Sequence, residues 1–203
     1  MLLAHAFGLF THPDREWRTI AREHASPTRL YVAYVSILAL IGPVCAYIST
    51  TQFGWSVTEG TVVKLTAESS LQLNALTYGS MLMGVFALGW MIDWMAKTYG
   101  ARRDEQAANG IGLVAYACTP LFFAGFALLY PVPWINMLCF LSAAAYSAYL
   151  LYRGLPVVMN ISKEQAFLYG GAILTVALVI LVATRVGTVI LWSVGFSPVF
   201  ITE

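Results

Sequence analysis

Any chemistry in this chain has to be built from very few polar side chains. The three histidines, His5, His12 and His24, all fall within the first 24 residues. None belongs to an H-E-x-x-H pattern, and no glycine-rich loop is placed to cradle a phosphate. Cys45, Cys118 and Cys139 each stand alone in an apolar stretch with no C-x-x-C spacing and no nearby histidine, so they read as small core residues and not as metal or disulfide partners. Asp93 is the one acid inside the apolar runs. No second carboxylate accompanies it for acid-base work, so the residue set points away from an enzyme, a metal site or a cofactor.

Asp93 still requires an explanation, because a bare carboxylate within an apolar run is unfavourable by about 2 to 3 kcal/mol on insertion scales. It lies four residues before Lys97, a spacing that allows contact on one helix. Arg153 is the stronger candidate, since a guanidinium can clamp a carboxylate with two hydrogen bonds. The expectation is a bridge from Asp93 to Arg153, with Trp90 and Trp94 restricting water around it. Pro43 and Pro120 are the other notable interior residues. Each frees backbone carbonyls near mid-helix, as solute carriers do, but such prolines more often shape a bundle. Tyr116, four residues before Pro120, is expected to be structural, with its hydroxyl finding a partner inside the bundle. Pro120 should bend its helix by displacing the Tyr116 carbonyl.

The elements that position these residues follow from composition. Of 203 residues, 59% are hydrophobic and only 10% charged, and the mean hydropathy is +0.73. A soluble domain carries about 25% charged residues. The net charge of +1 offers no basic field for nucleic acid, which is excluded as a partner. A span needs about 20 apolar residues to cross the hydrocarbon. The intervals between charges provide spans at 30–51 and 75–96. Residues 106–152 carry no charge at all. As one helix they would extend about 70 Å, so they must fold back, and Tyr130-Pro131-Val132-Pro133-Trp134 marks the turn. Spans at 111–130 and 134–152 result, and a last one runs over 165–192 with Arg185 snorkelling at its far end. The expected architecture is an all-α, five-helix membrane bundle over 30–192, preceded by an interfacial segment over 1–29 and followed by a short far-side tail over 193–203.

Orientation follows from Lys and Arg. Arg15, Arg18, Arg22, Arg29, Lys97, Arg102, Arg103, Arg153 and Lys163 collect on one side, against Lys64 and Arg185 on the other. That imbalance places the amino terminus in the cytoplasm and the carboxyl terminus across the membrane. Residues 1–12 lack basic residues ahead of their apolar stretch and read as retained, not as a signal peptide. Thr11, Pro13 and Asp14 read as a helix start, with a helix from His12 to about His24. Trp17, Ile20, Ala21 and His24 would rest on the membrane, and Arg15, Arg18 and Arg22 would face anionic headgroups. Leu2, Leu3, Phe7, Leu9 and Phe10 would dip into the same interface. Ser80 with Gly84, Ala143 with Ser147, Ala144 with Ala148 and Ala166 with Gly170 are small pairs four apart, which suit close helix packing first and oligomerisation second.

Several short motifs occur in a familiar order: Pro13, Trp17 and Ile20; Leu40-Ile41-Gly42-Pro43 followed by Gly54-Trp55; Ala115-Tyr116-Ala117-Cys118-Thr119-Pro120; and Tyr149-Leu150-Leu151-Tyr152-Arg153-Gly154-Leu155-Pro156. This pattern resembles the Yip family of five-span membrane proteins, in particular its bacterial YohC-like branch. In the family's Asp-Leu-x-Gly-Pro element, Ala39 stands here in place of the acid, and in its Gly-Tyr-x-x-x-Pro element Ala115 stands in place of glycine. For the bacterial branch the resemblance implies a fold and a compartment, a multi-pass protein of the bacterial inner membrane, without a known activity. The resemblance also implies that eukaryotic members, which carry a long cytoplasmic tail, take part in vesicle traffic and that some bind Rab-type GTPases and one another; only 29 residues precede the first span here, which argues against GTPase binding. The expected function is a non-catalytic scaffold or partner-binding, membrane-organising protein, with a homo-oligomer or other membrane proteins as partners beside the bilayer. A pathway for a small solute or ion is the alternative.

Overall fold

Apolar runs of 20 or more residues can satisfy their backbone in lipid only as helices, and five such helices form among the described residues. The computed structural model described here covers residues 2–23, 26–58, 61–101, 110–195 and 197–202. His24, Arg102 and Arg103, and the side chains of Leu2 and Leu3, lie outside the described residues. Two short helices come first, α1 (Leu2–Thr11) and α2 (Pro13–Glu23). The five long ones are α3 (Pro27–Phe53), α4 (Ala67–Met95), α5 (Gly110–Leu129), α6 (Pro133–Val158) and α7 (Lys163–Ser193), each long and apolar enough to cross a membrane.

The ends of these helices are set by polar side chains. Thr66 accepts a hydrogen bond from the Ser69 amide at 3.3 Å and starts α4 eight residues before the hydrophobic run. Ser162 and Gln165 form a reciprocal capping box at the start of α7. Pro133 occupies the first turn of α6, where its missing N–H costs nothing. α6 continues past Arg153 to Val158.

Both proline-bearing spans are interrupted. α3 passes through π-helical turns at Tyr31–Val35 and Ser49–Phe53 and loses regular helix at Leu40, three residues before Pro43. α5 is interrupted at Cys118, just before Thr119 and Pro120, and ends in a 3-10 stretch, Gly125–Leu129. The expected distortion of the third span at Pro120 is therefore present, because the ring denies the Tyr116 carbonyl its usual donor. The two interrupted helices cross at Gly42 and Gly125, where a Cβ on Gly125 would sit 2.7 Å from the Gly42 backbone. Pro43 and Pro120 are both buried near this crossing.

A small antiparallel sheet closes the opposite end of the bundle from α1 and α2. β1 (Trp55–Thr58) pairs with β2 (Thr61–Leu65), and β2 pairs with β3 (Phe200–Thr202), Lys64 lying opposite Ile201. The carboxyl-terminal tail thus returns to the loop after the first span. The Val199 amide donates to Ser69 Oγ at 3.1 Å, and Trp55 meets Phe200 edge to face at 6.0 Å. The core concentrates at the other end, around Trp17, Tyr34, Leu113, Tyr116, Leu150 and Tyr169.

Candidate functional site

α2 has three distinct faces, and each is engaged differently. Trp17 is 0% exposed and lies against Gly154 of α6, where a Cβ would meet the indole at 2.7 Å. Only glycine leaves room there for the ring. Tyr116 of α5 receives the same indole edge to face at 6.3 Å. On one flank Asp14 forms an ion pair with Arg153, whose guanidinium also lies 5.7 Å above the Tyr149 ring. On the other flank Glu16 and Glu23 reach His5 of α1, Glu16 at Nδ1 and Glu23 at Nε2, the latter at 2.9 Å. Both ring nitrogens thus face a carboxylate of α2, which ties α1 to α2 at two points. Arg15, Arg18 and Arg22 are exposed on the remaining face, opposite Trp17.

α1 runs along the bundle beside the spans. Leu9 and Ala6 are buried, the Tyr146 hydroxyl donates to the Leu9 carbonyl at 2.9 Å, and Phe10 stacks on Tyr146 at 5.6 Å and meets Phe123 edge to face. Tyr146 is about 10 Å along α6 from Arg153. α1 and α2 therefore form a hairpin docked in the groove between α5 and α6.

This arrangement corrects several expectations. Thr11 does not cap the second helix. It ends the first one, its hydroxyl donating back to the Phe7 carbonyl at 3.1 Å. Trp17 is not interfacial, because the bundle offers it a fitted cavity that lipid does not. Leu9 packs into the protein and not into headgroups, whereas Phe7 remains exposed.

The Asp93–Arg153 bridge is not formed either. Arg153 pairs with Asp14, which α2 brings alongside it. Asp93 instead accepts the Gly110 amide at 2.9 Å, filling a donor left open at the start of α5, where the helix dipole favours a carboxylate. Lys97 is exposed and does not pair with Asp93, because α4 ends at Met95 and the helical spacing between the two is lost. Trp90 and Trp94 are exposed on the bundle surface and do not shield the acid. The end of α4 is fixed further by Tyr169, whose hydroxyl donates to the Ile92 carbonyl while its ring stacks on Tyr99 at 4.7 Å.

Tyr116 is buried as expected, but through its ring: His5, Trp17 and Tyr34 all contact it, and no hydrogen bond reaches its hydroxyl among the described residues. The neighbouring Tyr34 hydroxyl makes the polar contact instead, with Thr119 Oγ at 2.7 Å. Among the described residues no three His, Cys, Asp or Glu side chains converge to hold a metal ion. The residues missed in sequence were His5, Asp14, Glu16 and Glu23. A histidine within an apolar helix was the available signal, since such a group needs a partner once buried.

The Yip1 domain matches residues 7–184. The chain belongs to the Yip1 family. It is 39% identical over 194 residues to the inner membrane protein YohC of Escherichia coli strain K12, covering 96% of this chain and 98% of the relative. The YohC protein of Escherichia coli O6:H1 strain CFT073 is similar to the same extent. No solved structure matches the chain. The Yip1 match includes α2 with Trp17 and the Gly154 that receives it, whereas His5 lies outside the matched range. Five apolar helices and relatives named as inner membrane proteins fit a multi-pass protein of that membrane.

Proposed function

We propose that this Yip1 family member is a non-catalytic membrane scaffold whose cytoplasmic face is the docked hairpin, and that protein partners or neighbouring copies engage the hairpin's basic face. One observation carries this reading: α2 is locked on three sides by Trp17, Asp14 and the His5 pair, yet it presents Arg15, Arg18 and Arg22 outward as a rigid row. A row held in place loses little conformational freedom on binding, which favours recognition of an acidic surface. The charge asymmetry of the sequence supports the cytoplasmic assignment.

The test replaces Arg18 with a photo-crosslinking residue in the full chain, in cells. The expected result is one discrete adduct, lost when Arg15 and Arg22 are changed to Gln, while a probe at lipid-facing Leu178 yields none. An equal adduct pattern at both positions would overturn the reading. The alternative, a solute pathway, receives less support, because the interrupted helices close on each other through glycine backbones at the Gly42–Gly125 crossing.

A further inference from the structure

α1 carries an apolar face that the bundle leaves uncovered. Ala6 and Leu9 are buried, whereas Phe7 is 76% exposed and Phe10 44%. Phe7 and Phe10 lie three residues apart, on one side of the helix. With Ala6, and with Phe123 of α5, they line an open groove that no polar side chain enters. The face is held as it stands. The Phe10 ring lies against Phe123 and Tyr146, Tyr146 bonds the Leu9 carbonyl, and His5 is tied to α2. α1 is therefore not free to roll and bury Phe7.

Two observations identify the medium that covers this face. The first is depth. Phe123 belongs to a membrane span, about 20 Å along it from Gly110, and Tyr146 lies about 10 Å further into its span than Arg153. The hydrocarbon of one leaflet is about 15 Å thick. The groove is thus continuous with the lipid-facing surface of α5 and opens below the headgroups. The second observation is polarity. α1 contains no Lys, Arg, Asp or Glu, and its His5 ring is turned to Glu16 and Glu23 of α2. The carbonyls toward its carboxyl-terminal end are also provided with donors by the protein itself. Phe7 accepts from the Thr11 hydroxyl at 3.1 Å, Gly8 from the His12 amide at 2.8 Å and Leu9 from the Tyr146 hydroxyl at 2.9 Å. In water a helix end can leave such groups to solvent, but in hydrocarbon the protein has to satisfy them.

We propose that α1 is embedded in the acyl region of the cytoplasmic leaflet, where Phe7, Phe10 and Phe123 present one continuous surface to phospholipid acyl chains. α1 is then a lipid-binding helix that does not span the membrane. The acyl contact is made by α1, whereas the basic row belongs to α2, so either can fail without the other.

The test uses the full chain reconstituted in phospholipid vesicles. In a background lacking Cys45, Cys118 and Cys139, Phe7→Cys carries a nitroxide. Leu178→Cys is the lipid-facing reference and Lys97→Cys the aqueous one. Oxygen concentrates in hydrocarbon and is expected to relax the label at position 7 at least fivefold more than a water-soluble nickel chelate does, as at Leu178. Relaxation dominated by the chelate, as at Lys97, overturns the proposal, because α1 then faces water. Dipolar broadening at position 7 that is removed by dilution with unlabelled chain also overturns it, because a second copy then covers the face. The unaltered chain supplies a second measurement. A phospholipid with a diazirine midway along its acyl chain should form at least fivefold more adducts within α1 than one with the diazirine on its headgroup. The reverse ratio, or no adduct within α1, overturns the proposal even if Phe7→Cys fails to fold.

Discussion

Trp17 is the residue on which the hairpin depends most. Its ring is buried, but its indole N–H has no hydrogen-bond partner among the described residues. The ring's shape is therefore what holds it. Trp17→Ala should lower stability by about 3 to 5 kcal/mol, whereas Trp17→Phe should cost clearly less, because it discards an unpaired donor along with part of the ring. Thermal unfolding of the two variants in one detergent checks the order. Gly154→Val should resemble Trp17→Ala, since a side chain there occupies the place of the indole. Asp93 behaves differently. Asp93→Leu removes the acceptor for the Gly110 amide and should cost about 1 to 3 kcal/mol. Exchanging Asp93 with Arg153 should restore nothing, because Arg153 serves Asp14. The Asp14–Arg153 pair is itself about half exposed, at 54% and 46%, and Arg153→Gln should cost less than about 1 kcal/mol. Recovery of stability in the Asp93/Arg153 exchange would show this assignment to be wrong.

Among the elements, α3 and α5 depend on each other. Proline interrupts both, but glycine allows the crossing. Gly125→Leu should destabilise the bundle by about 1 to 3 kcal/mol or more, since it drives a side chain into the Gly42 backbone. Pro120→Ala should cost under about 1 kcal/mol, because it restores a donor without adding volume. Melting curves of the two variants separate these effects, and a larger loss for Pro120→Ala would mean that the interruption at Cys118 carries the crossing. The two short helices also act as a unit. Arg15, Arg18 and Arg22 are presented as a row only because the other faces of α2 are occupied.

For the whole molecule, the charge asymmetry and the docked hairpin combine into one topology. In a chain lacking Cys45, Cys118 and Cys139, a cysteine replacing Lys64 in β2 should react with an impermeant thiol reagent in whole cells, whereas one replacing Arg102 should be shielded. Labelling at both positions would refute the orientation. Lys64 and the paired tail strand share a sheet, so a cysteine replacing Phe200 should label on the same side as one replacing Lys64.

The amino-acid sequence alone determined the number of spans, the hairpin at Pro131 and Pro133, the interruptions near Pro43 and Pro120, and the family. Each of these is local: an apolar run must be helical in lipid, and proline removes a donor wherever it stands. What the tertiary structure decided was which groups meet. Asp14 and Asp93 are both acids with Arg153 within conceivable reach, and spacing along one helix cannot rank partners on different helices. The choice fell to Asp14 because Trp17 fits Gly154 and places α2 beside Arg153. The sheet was missed for the same reason. β3 is three residues long and pairs across more than 130 residues of chain, so only the meeting of the span ends brings its partner strand within reach.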